Sequence, residues 1–268
     1  MAEQDSDLVW TLAIKRLRYL VDRSGRHEGV PFGEEFVRSP RFGELFGGSA
    51  GRGADVRMKL YVTLTLLVVG KDHSVKETPA SSWAQALGLA DPTGKGARQV
   101  TAALDWLERH RYIALTRAAG RPHVVRLLDP VGSKKAYTRP NRGGSRYVRV
   151  PLEVWSEGWI VELSGRALAA LIVILDRLGT KLDSCWIPPE ERSTGIGISD
   201  ATWTRAIREL GSDRHRLVIV TREPIGRSQD FDWTRLRNRY RVDRNRLKEQ
   251  PGDRGNDFDT RYSPNSQA

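Results

Sequence analysis

Two stretches decide how this chain is read: GARQVTAALDWLERHRYIALTRAAGRPHVVRLLD, from Gly96 to Asp129, and SDATWTRAIRELGSDRHRLVIVTREPIGRSQDFDWTRLRNRYRVD, from Ser199 to Asp243. Each runs in the same order: an amphipathic helix, a short turn, a β-rich segment, a polar tip and a second β-rich segment. Laid over one another, Val100, Ala103, Leu104 and Leu107 match Trp203, Ala206, Ile207 and Leu210 at a constant offset. Their spacing predicts one buried helical stripe. Arg98, Gln99, Thr101, Ala102 and Asp105 match Ala201, Thr202, Thr204, Arg205 and Arg208, and these fall outside the stripe. The turn after the second helix, Gly211 to His215, is longer, and the match breaks there. A repeated unit constrains the fold before any single residue does.

Upstream of each repeat the pattern is also helical. Met58 to Val69 is apolar and ends at Gly70, a candidate C-cap. Thr78-Pro79 predicts an N-cap followed by proline at the first helical position, opening a helix from Ala80 to Leu87. In the second half Ser164 is the candidate cap of a helix to Leu178, Ile187-Pro188-Pro189-Glu190-Glu191 enters a short helix ending near Gly195, and Ser199 or Asp200 caps the next. The strands are expected at Tyr112 to Arg117, His123 to Leu128, Tyr147 to Val150, Leu217 to Arg222 and Arg237 to Val242. Leu8, Leu12, Leu17, Leu20 and Val21 give an N-terminal helix one apolar face. That helix either docks on the first module as extra core or pairs with another chain. Ser24 to Gly53 reads as loop with a short helix near Glu34.

The expected organisation is therefore an N-terminal helix and loop over 1–53, a first module over 54–130, a basic linker over 131–146, a second module over 147–243 and a disordered tail over 244–268. The net charge of +11 is uneven: residues 54–130 carry +4, residues 131–150 carry +6, and residues 151–243 balance. A basic surplus favours polyanions, because phosphate neutralisation releases counterions. Arginine far outnumbers lysine, which suits bidentate contacts to phosphate and guanine and also fits a GC-rich genome. One cysteine, Cys185, excludes an internal disulfide framework and fits a reducing cytoplasm. No apolar run approaches the roughly 20 residues of a membrane span. The acidic opening MAEQDSDLVW lacks the pattern of a secretory signal.

Leu87-Gly88 and Gly197-Ile198-Ser199 stand at the turns that lead into the two repeated helices, and ISDATWTRAIREL, from Ile198 to Leu210, is similar to the recognition helix of many bacterial regulators and replication initiators. Over residues 54–243 the chain resembles the tandem winged helix-turn-helix replication initiators of plasmids and phages. The resemblance implies an α+β fold of two winged-helix domains in tandem, with an N-terminal helix. It implies that each third helix enters a major groove of duplex DNA. The residues then nominated are Lys95, Arg98, Gln99 and Thr101 in the first module and Thr202, Thr204, Arg205 and Arg208 in the second. Arg grips guanine and Gln grips adenine. Ser81 and Ser82 are expected on phosphates. Arg121 and His123 in the first wing, and Arg227, Arg235, Arg237 and Arg239 in the second, are expected at the minor groove or backbone. Lys134, Lys135, Arg139, Arg142 and Arg146 would track the phosphates between modules. The same residue types on an amphipathic helix also make an ordinary solvated face; repetition, charge and wing favour DNA.

No enzyme signature is present. Gly88 to Gly96 has one residue too many for a phosphate-binding loop, and Gly96 stands where a magnesium-binding Ser or Thr belongs. The histidines His27, His73, His110, His123 and His215 are scattered, without the metal-binding pair that a rolling-circle nickase needs. Cys185, beside Trp186 and Ile187, is expected to be buried, and Trp203 falls on the apolar stripe as core. The expectation is a cytoplasmic, nucleoid- or plasmid-associated double-stranded DNA-binding protein with no cofactor and no metal. Its expected use is replication initiation at repeated origin sites. Transcriptional regulation or DNA partition, and a protein-interaction scaffold of a chromosome-associated complex, stand as alternatives. The N-terminal helix or the neutral second module is a possible homodimer surface.

Overall fold

The computed structural model describes residues 2–47, 53–70, 72–133, 135–140, 146–180, 182–225 and 236–252. It is a mixed α+β structure, and among the described residues the strands form three small antiparallel sheets. The chain opens with a long helix, α1 (Ala2–Ser24), then a strand, β1 (Val30–Gly33), and two short helices, α2 (Glu34–Val37) and α3 (Pro40–Glu44). Next come α4 (Ala54–Leu67), β2 (Ser74–Val75), α5 (Ala80–Ala86), α6 (Lys95–Arg109), β3 (Ile113–Thr116) and β4 (Val124–Leu127). In that sheet β4 lies between β2 and β3.

The remainder starts with β5 (Tyr147–Val150) and two single-turn helices, α7 (Glu153–Ser156) and α8 (Trp159–Glu162). It continues with α9 (Gly165–Leu178), a π-turn (Glu191–Gly195), α10 (Asp200–Leu210), β6 (Val218–Pro224) and β7 (Leu236–Val242). β7 pairs with β6 on one edge and makes a bridge from Tyr240 to Cys185 on the other. The order of the first half is thus repeated: long helix, short extended piece, short helix, third helix, hairpin. In both halves the last strand is central.

Local chemistry explains the third helices. The Asp91 carboxylate accepts from the N–H groups of Gly94 (3.0 Å) and Lys95 (2.7 Å), so the first turn of α6 has partners for its orphan donors. Ser199 Oγ accepts from Thr202 N at 3.2 Å and caps α10, a bond of about 1 kcal/mol. Both are preceded by a buried apolar residue and a left-handed glycine: Leu87 then Gly88 (φ +64°), and Ile196 then Gly197 (φ +80°). Val100, Ala103, Leu104 and Leu107 on α6, and Trp203, Ala206 and Leu210 on α10, are buried as their spacing requires; Ile207 is half-buried.

The halves share one core. α4 is buried at every residue from Val56 to Leu66, and α9 at every residue from Ala167 to Leu175. Helices buried all round belong to a core, where each full apolar side chain contributes about 1.5–3 kcal/mol. Packing runs from α6 to α4, from α4 to α9 and from α9 to α10. Polar bonds fasten the junction. Gly165 N donates to Asp55 Oδ1 (2.9 Å), Trp155 Nε1 donates to Thr63 Oγ1 (3.2 Å), and the buried Lys59 donates to the Val161 carbonyl (2.8 Å). Burial pushes the Lys59 pKa down, and nearby Asp55, Glu209 and Glu162 oppose that shift.

The N-terminal segment departs from the sequence expectation. Within the described residues 24–47 the short helix expected near Glu34 is present as α2, but β1 and α3 stand where loop was expected. β1 pairs with β5, from Val30 opposite Val150 to Gly33 opposite Tyr147. The strand that opens the second half is therefore completed by the N-terminus. Arg26, 8% exposed, donates to the carbonyls of Thr65, Leu66 and Val68 and so satisfies the C-terminal end of α4. Its burial is the main reason its pKa falls to about 10. In α3, Gly43 lies so close to the second half that an added Cβ would meet the Ile196 carbonyl.

Thr78 does not cap α5: its hydroxyl donates to the Lys76 carbonyl, and the helix starts after Pro79. α4 ends at Leu67 and is capped by the extended Val68, not by Gly70. The buried stripe of α1 is Ala13, Ile14, Leu17 and Leu20, whereas Leu8 and Leu12 are exposed. Residues 135–140 fold back: Ala136 bridges to Leu128, and Tyr137 is only 5% exposed. The chain also stays packed beyond Asp243, because Trp159 Nε1 donates to the carbonyl of buried Leu247 (3.0 Å). The expected disordered tail lies outside the described residues from 253 onward.

Candidate nucleic-acid interface

The third helices present distinct solvent faces. On α6 the exposed residues include Lys95, Arg98, Gln99 and Thr101. Thr101 Oγ1 donates back to the Ala97 carbonyl (3.1 Å), so its hydroxyl proton is engaged. Among the described residues, the side chains of Lys95, Arg98 and Gln99 have no hydrogen-bond or ion-pair partner. On α10, Thr204, Arg205 and Arg208 are exposed and equally unengaged. Thr202 is half-buried, and its hydroxyl accepts from Ser199 Oγ (3.0 Å), which makes it part of the cap.

Many other arginines are committed within the chain. Arg117 holds Asp105 (3.2 Å) and Glu108 (2.6 Å), and the Arg117 hydrogen bond is the main cause of the lowered Glu108 pKa. Arg38 holds Asp176 at 2.7 Å and also pairs with Glu34. Arg41 donates to the His110 carbonyl (2.7 Å), and Arg246 to the His215 carbonyl (3.0 Å). Against these, Arg98, Arg205 and Arg208 make no hydrogen bond or ion pair among the described residues. A guanidinium carries five donors in a planar fork, so an uncommitted one suits bidentate recognition.

The second hairpin divides its residues by face. Val218, Tyr240 and Val242 are buried, and Trp203 Nε1 donates to Tyr240 Oη (3.0 Å), so this face packs on α10. Alternation sends Arg237, Arg239 and Arg241 to the opposite face. Arg237 pairs with Glu223 and lies 5.4 Å from the Trp186 ring centre. Arg239 donates to Ser184 Oγ (3.0 Å), the Ser184 carbonyl (2.8 Å) and Glu223 (3.3 Å). The structure therefore separates Arg237 and Arg239 from Thr204, Arg205 and Arg208. Their bonds brace the hairpin.

The other nominated residues are spread more widely. Ser81 and Ser82 are half-buried at the start of α5. Arg121 is exposed at the tip of the first hairpin, and His123 is half-buried. Lys135 is exposed on the fold-back, with its carbonyl accepting from Asp129 N (3.0 Å). Arg139 is half-buried beside Tyr137, and Arg146 is exposed where its carbonyl accepts from Glu34 N. Lys134, Arg142, Arg227 and Arg235 lie outside the described residues. The sequence reading missed Arg126, an exposed cation between buried Val125 and Leu127 on β4. The alternation of Val125-Arg126-Leu127 was its available signal. It also missed Asp91, whose carboxylate aims the start of α6.

Among the described residues no group of three or more His, Cys, Asp or Glu side chains is placed to hold a metal ion. Cys185 is buried, and burial pushes its thiol up to about 11. No described helix is long and apolar enough to cross a membrane. Comparison of the chain with models of protein families, with curated proteins and with solved structures finds no match.

Proposed function

We propose that the chain is a sequence-specific binder of double-stranded DNA, built from two winged-helix modules that act as one rigid reader. The observation that carries this reading is the repeated topology, which ends each time in a third helix with uncommitted polar donors on its solvent face. α6 offers Lys95, Arg98 and Gln99, and α10 offers Thr204, Arg205 and Arg208. Each set suits base edges in a major groove, where Arg discriminates guanine and Gln discriminates adenine.

The charge distribution assigns the halves different weights. The basic excess of residues 54–150 supports phosphate grip, and the balanced second half supports reading of bases more than general attraction. Because α4 and α9 form one core, a single chain would read two half-sites at a set separation, about 34 Å for successive major grooves. Such a site is asymmetric or directly repeated and needs no two-fold symmetry. The use we propose is initiation of replication at repeated origin sites. Direct repeats beside the gene that confer autonomous replication support that use; a single site in a promoter supports transcriptional regulation instead.

The test is selection of bound sequences from a random duplex pool, followed by affinity measurement across salt. The expected result is one enriched motif of two blocks with constant spacing, and an affinity that falls steeply with salt. An unenriched pool with a flat salt response would refute DNA recognition.

A further inference from the structure

A cleft of about 510 Å³ lies where the N-terminal segment meets the first half of the chain. Its walls come from β1, α2, α4 and residues that follow β4. Small-molecule sites span roughly 300–1,000 Å³ and favour such junctions between structural units. Phe32, Phe36, Tyr61 and Tyr137 line the cleft, and all four are buried, so its walls are aromatic.

Two polar groups in these walls are unused. Tyr61 is 1% exposed and Tyr137 5%, yet neither hydroxyl makes a hydrogen bond among the described residues. Other buried tyrosines are bonded: Tyr112 Oη donates to the Arg41 carbonyl (2.6 Å), and Tyr240 Oη accepts from Trp203. A buried hydroxyl without a partner is costly and uncommon, so two of them in one cleft mark a place for the acceptors of another molecule. Burial pushes the Tyr61 pKa up, and it pushes Tyr137 up to about 12 against the opposing Arg26 and Arg139. Both phenols therefore keep their protons at neutral pH and can donate.

The charges around the cleft set the charge of its ligand. Arg38 is held by Asp176 and Glu34. The Asp129 carboxylate accepts from Val131 N (3.3 Å) and from the Ser133 hydroxyl. The remaining ions in the lining are Glu35 and Arg146, which are exposed and opposite in sign. A charged ligand would give up its hydration with no counter-ion inside the cleft, at a large cost. We infer that the cleft binds an uncharged aromatic molecule, whose rings lie among Phe32, Phe36, Tyr61 and Tyr137 and whose carbonyl or ether oxygens accept from the two tyrosine hydroxyls. Aromatic rings pack on such walls edge to face or offset. The bound molecule bridges the N-terminal segment and α4, because both supply walls. Its binding needs no DNA and does not rest on the DNA reading.

Ligand-observed NMR titration of the full chain without DNA tests this with three probes of similar size: coumarin, a neutral lactone; indole, neutral but without an oxygen acceptor; and coumarin-3-carboxylate. Coumarin should bind saturably, with a Kd on the order of 1 mM or tighter. Indole should bind about fivefold more weakly for want of an acceptor, and the carboxylate about tenfold more weakly for want of a counter-ion. Tyr61→Phe and Tyr137→Phe together should weaken coumarin to the level of indole. They should leave indole binding and the melting temperature unchanged, because neither hydroxyl bonds within the described chain. Val131→Trp, which crowds the cleft, should weaken all three probes. Absence of saturable coumarin binding overturns the inference. So does coumarin binding that survives the double Phe variant or Val131→Trp, or a carboxylate that binds as tightly as coumarin.

Discussion

Trp203 Nε1 lies 3.0 Å from Tyr240 Oη, and the two rings meet edge to face with centroids 5.6 Å apart. This bond joins α10 to β7 inside the core, where Trp203 is 2% and Tyr240 3% exposed. Tyr240→Phe should leave the indole N–H unpaired and cost about 1–3 kcal/mol. Trp203→Ala should cost about 3–5 kcal/mol through the cavity it leaves. Urea unfolding followed by circular dichroism measures both. A Tyr240→Phe change under about 0.5 kcal/mol would show that the bond adds no net stability.

His215 predicts how stability varies with pH. Its Nε2 sits 3.1 Å from Glu162 Oε1 and its Nδ1 2.8 Å from the Glu209 carbonyl. The Glu162 hydrogen bond is the main cause that raises the His215 pKa above 6.5, and the same bond is the main cause that lowers Glu162 below 4.5. Arg214 and the buried Lys59 also face that carboxylate. A raised histidine contributes stability that is complete below 6.5 and is lost as pH rises through its folded pKa. A lowered carboxylate contributes stability present above 4.5 and lost as pH falls through its folded pKa. The pair should therefore stabilise most between 4.5 and 6.5. The urea midpoint should fall from pH 6 to pH 8, and His215→Gln should flatten that fall. An unchanged slope in His215→Gln would assign the pH dependence to other groups.

Gly88 is required for two reasons that can be separated. It has φ +64°, and an added Cβ would stand 2.4 Å from Val161 Cγ1. Gly120 has a similar φ of +69° with nothing within 4 Å of an added Cβ. Gly120→Ala should thus cost only the left-handed backbone penalty, about 1 kcal/mol. Gly88→Ala should cost more, and a Val161→Ala background should remove part of the excess. Equal losses at both glycines would mean that the contact between Gly88 and Val161 of α8 yields freely.

Arg205 and Arg239 are predicted to behave differently although both were nominated for DNA from sequence. Arg205→Ala should lose about 1–3 kcal/mol of discrimination between the selected site and random duplex, with stability unchanged. Arg239→Ala should lower stability by about 0.5–1.5 kcal/mol, because its bonds to Ser184 and Glu223 are internal, and should leave discrimination intact. Paired binding and unfolding measurements distinguish the two. The reverse pattern would place the outer face of β7 on DNA.

The fused core makes half-site spacing a sharp variable. Inserting two base pairs between the selected blocks should weaken binding at least tenfold, since α4 and α9 hold α6 and α10 in one arrangement. A flexible tether would tolerate the insertion. Gel-shift titration of the spaced series reads this directly, and tolerance would mean that the halves separate on DNA.

By itself the sequence determined the third helices, their hairpins and the repetition of that order. Val100, Ala103, Leu104 and Leu107, and Trp203, Ala206 and Leu210, are legible because helical burial has a fixed period, and Ser164 and Ser199 because a cap is a local hydrogen bond. Only the tertiary structure decided which surfaces remain. β1 escaped notice because four residues are too few for a period, and its partner β5 lies more than a hundred residues away. Leu8 and Leu12 looked like core because an apolar residue does not announce which face of its helix is covered. Arg237 and Arg239 looked available because a charge does not reveal its partner; Glu223, Ser184 and Trp186 come to them only when the hairpin closes. The joining of the halves through α4 and α9 was hidden for the same reason. A helix apolar on every side states that it will be buried, and only the folded chain states against what.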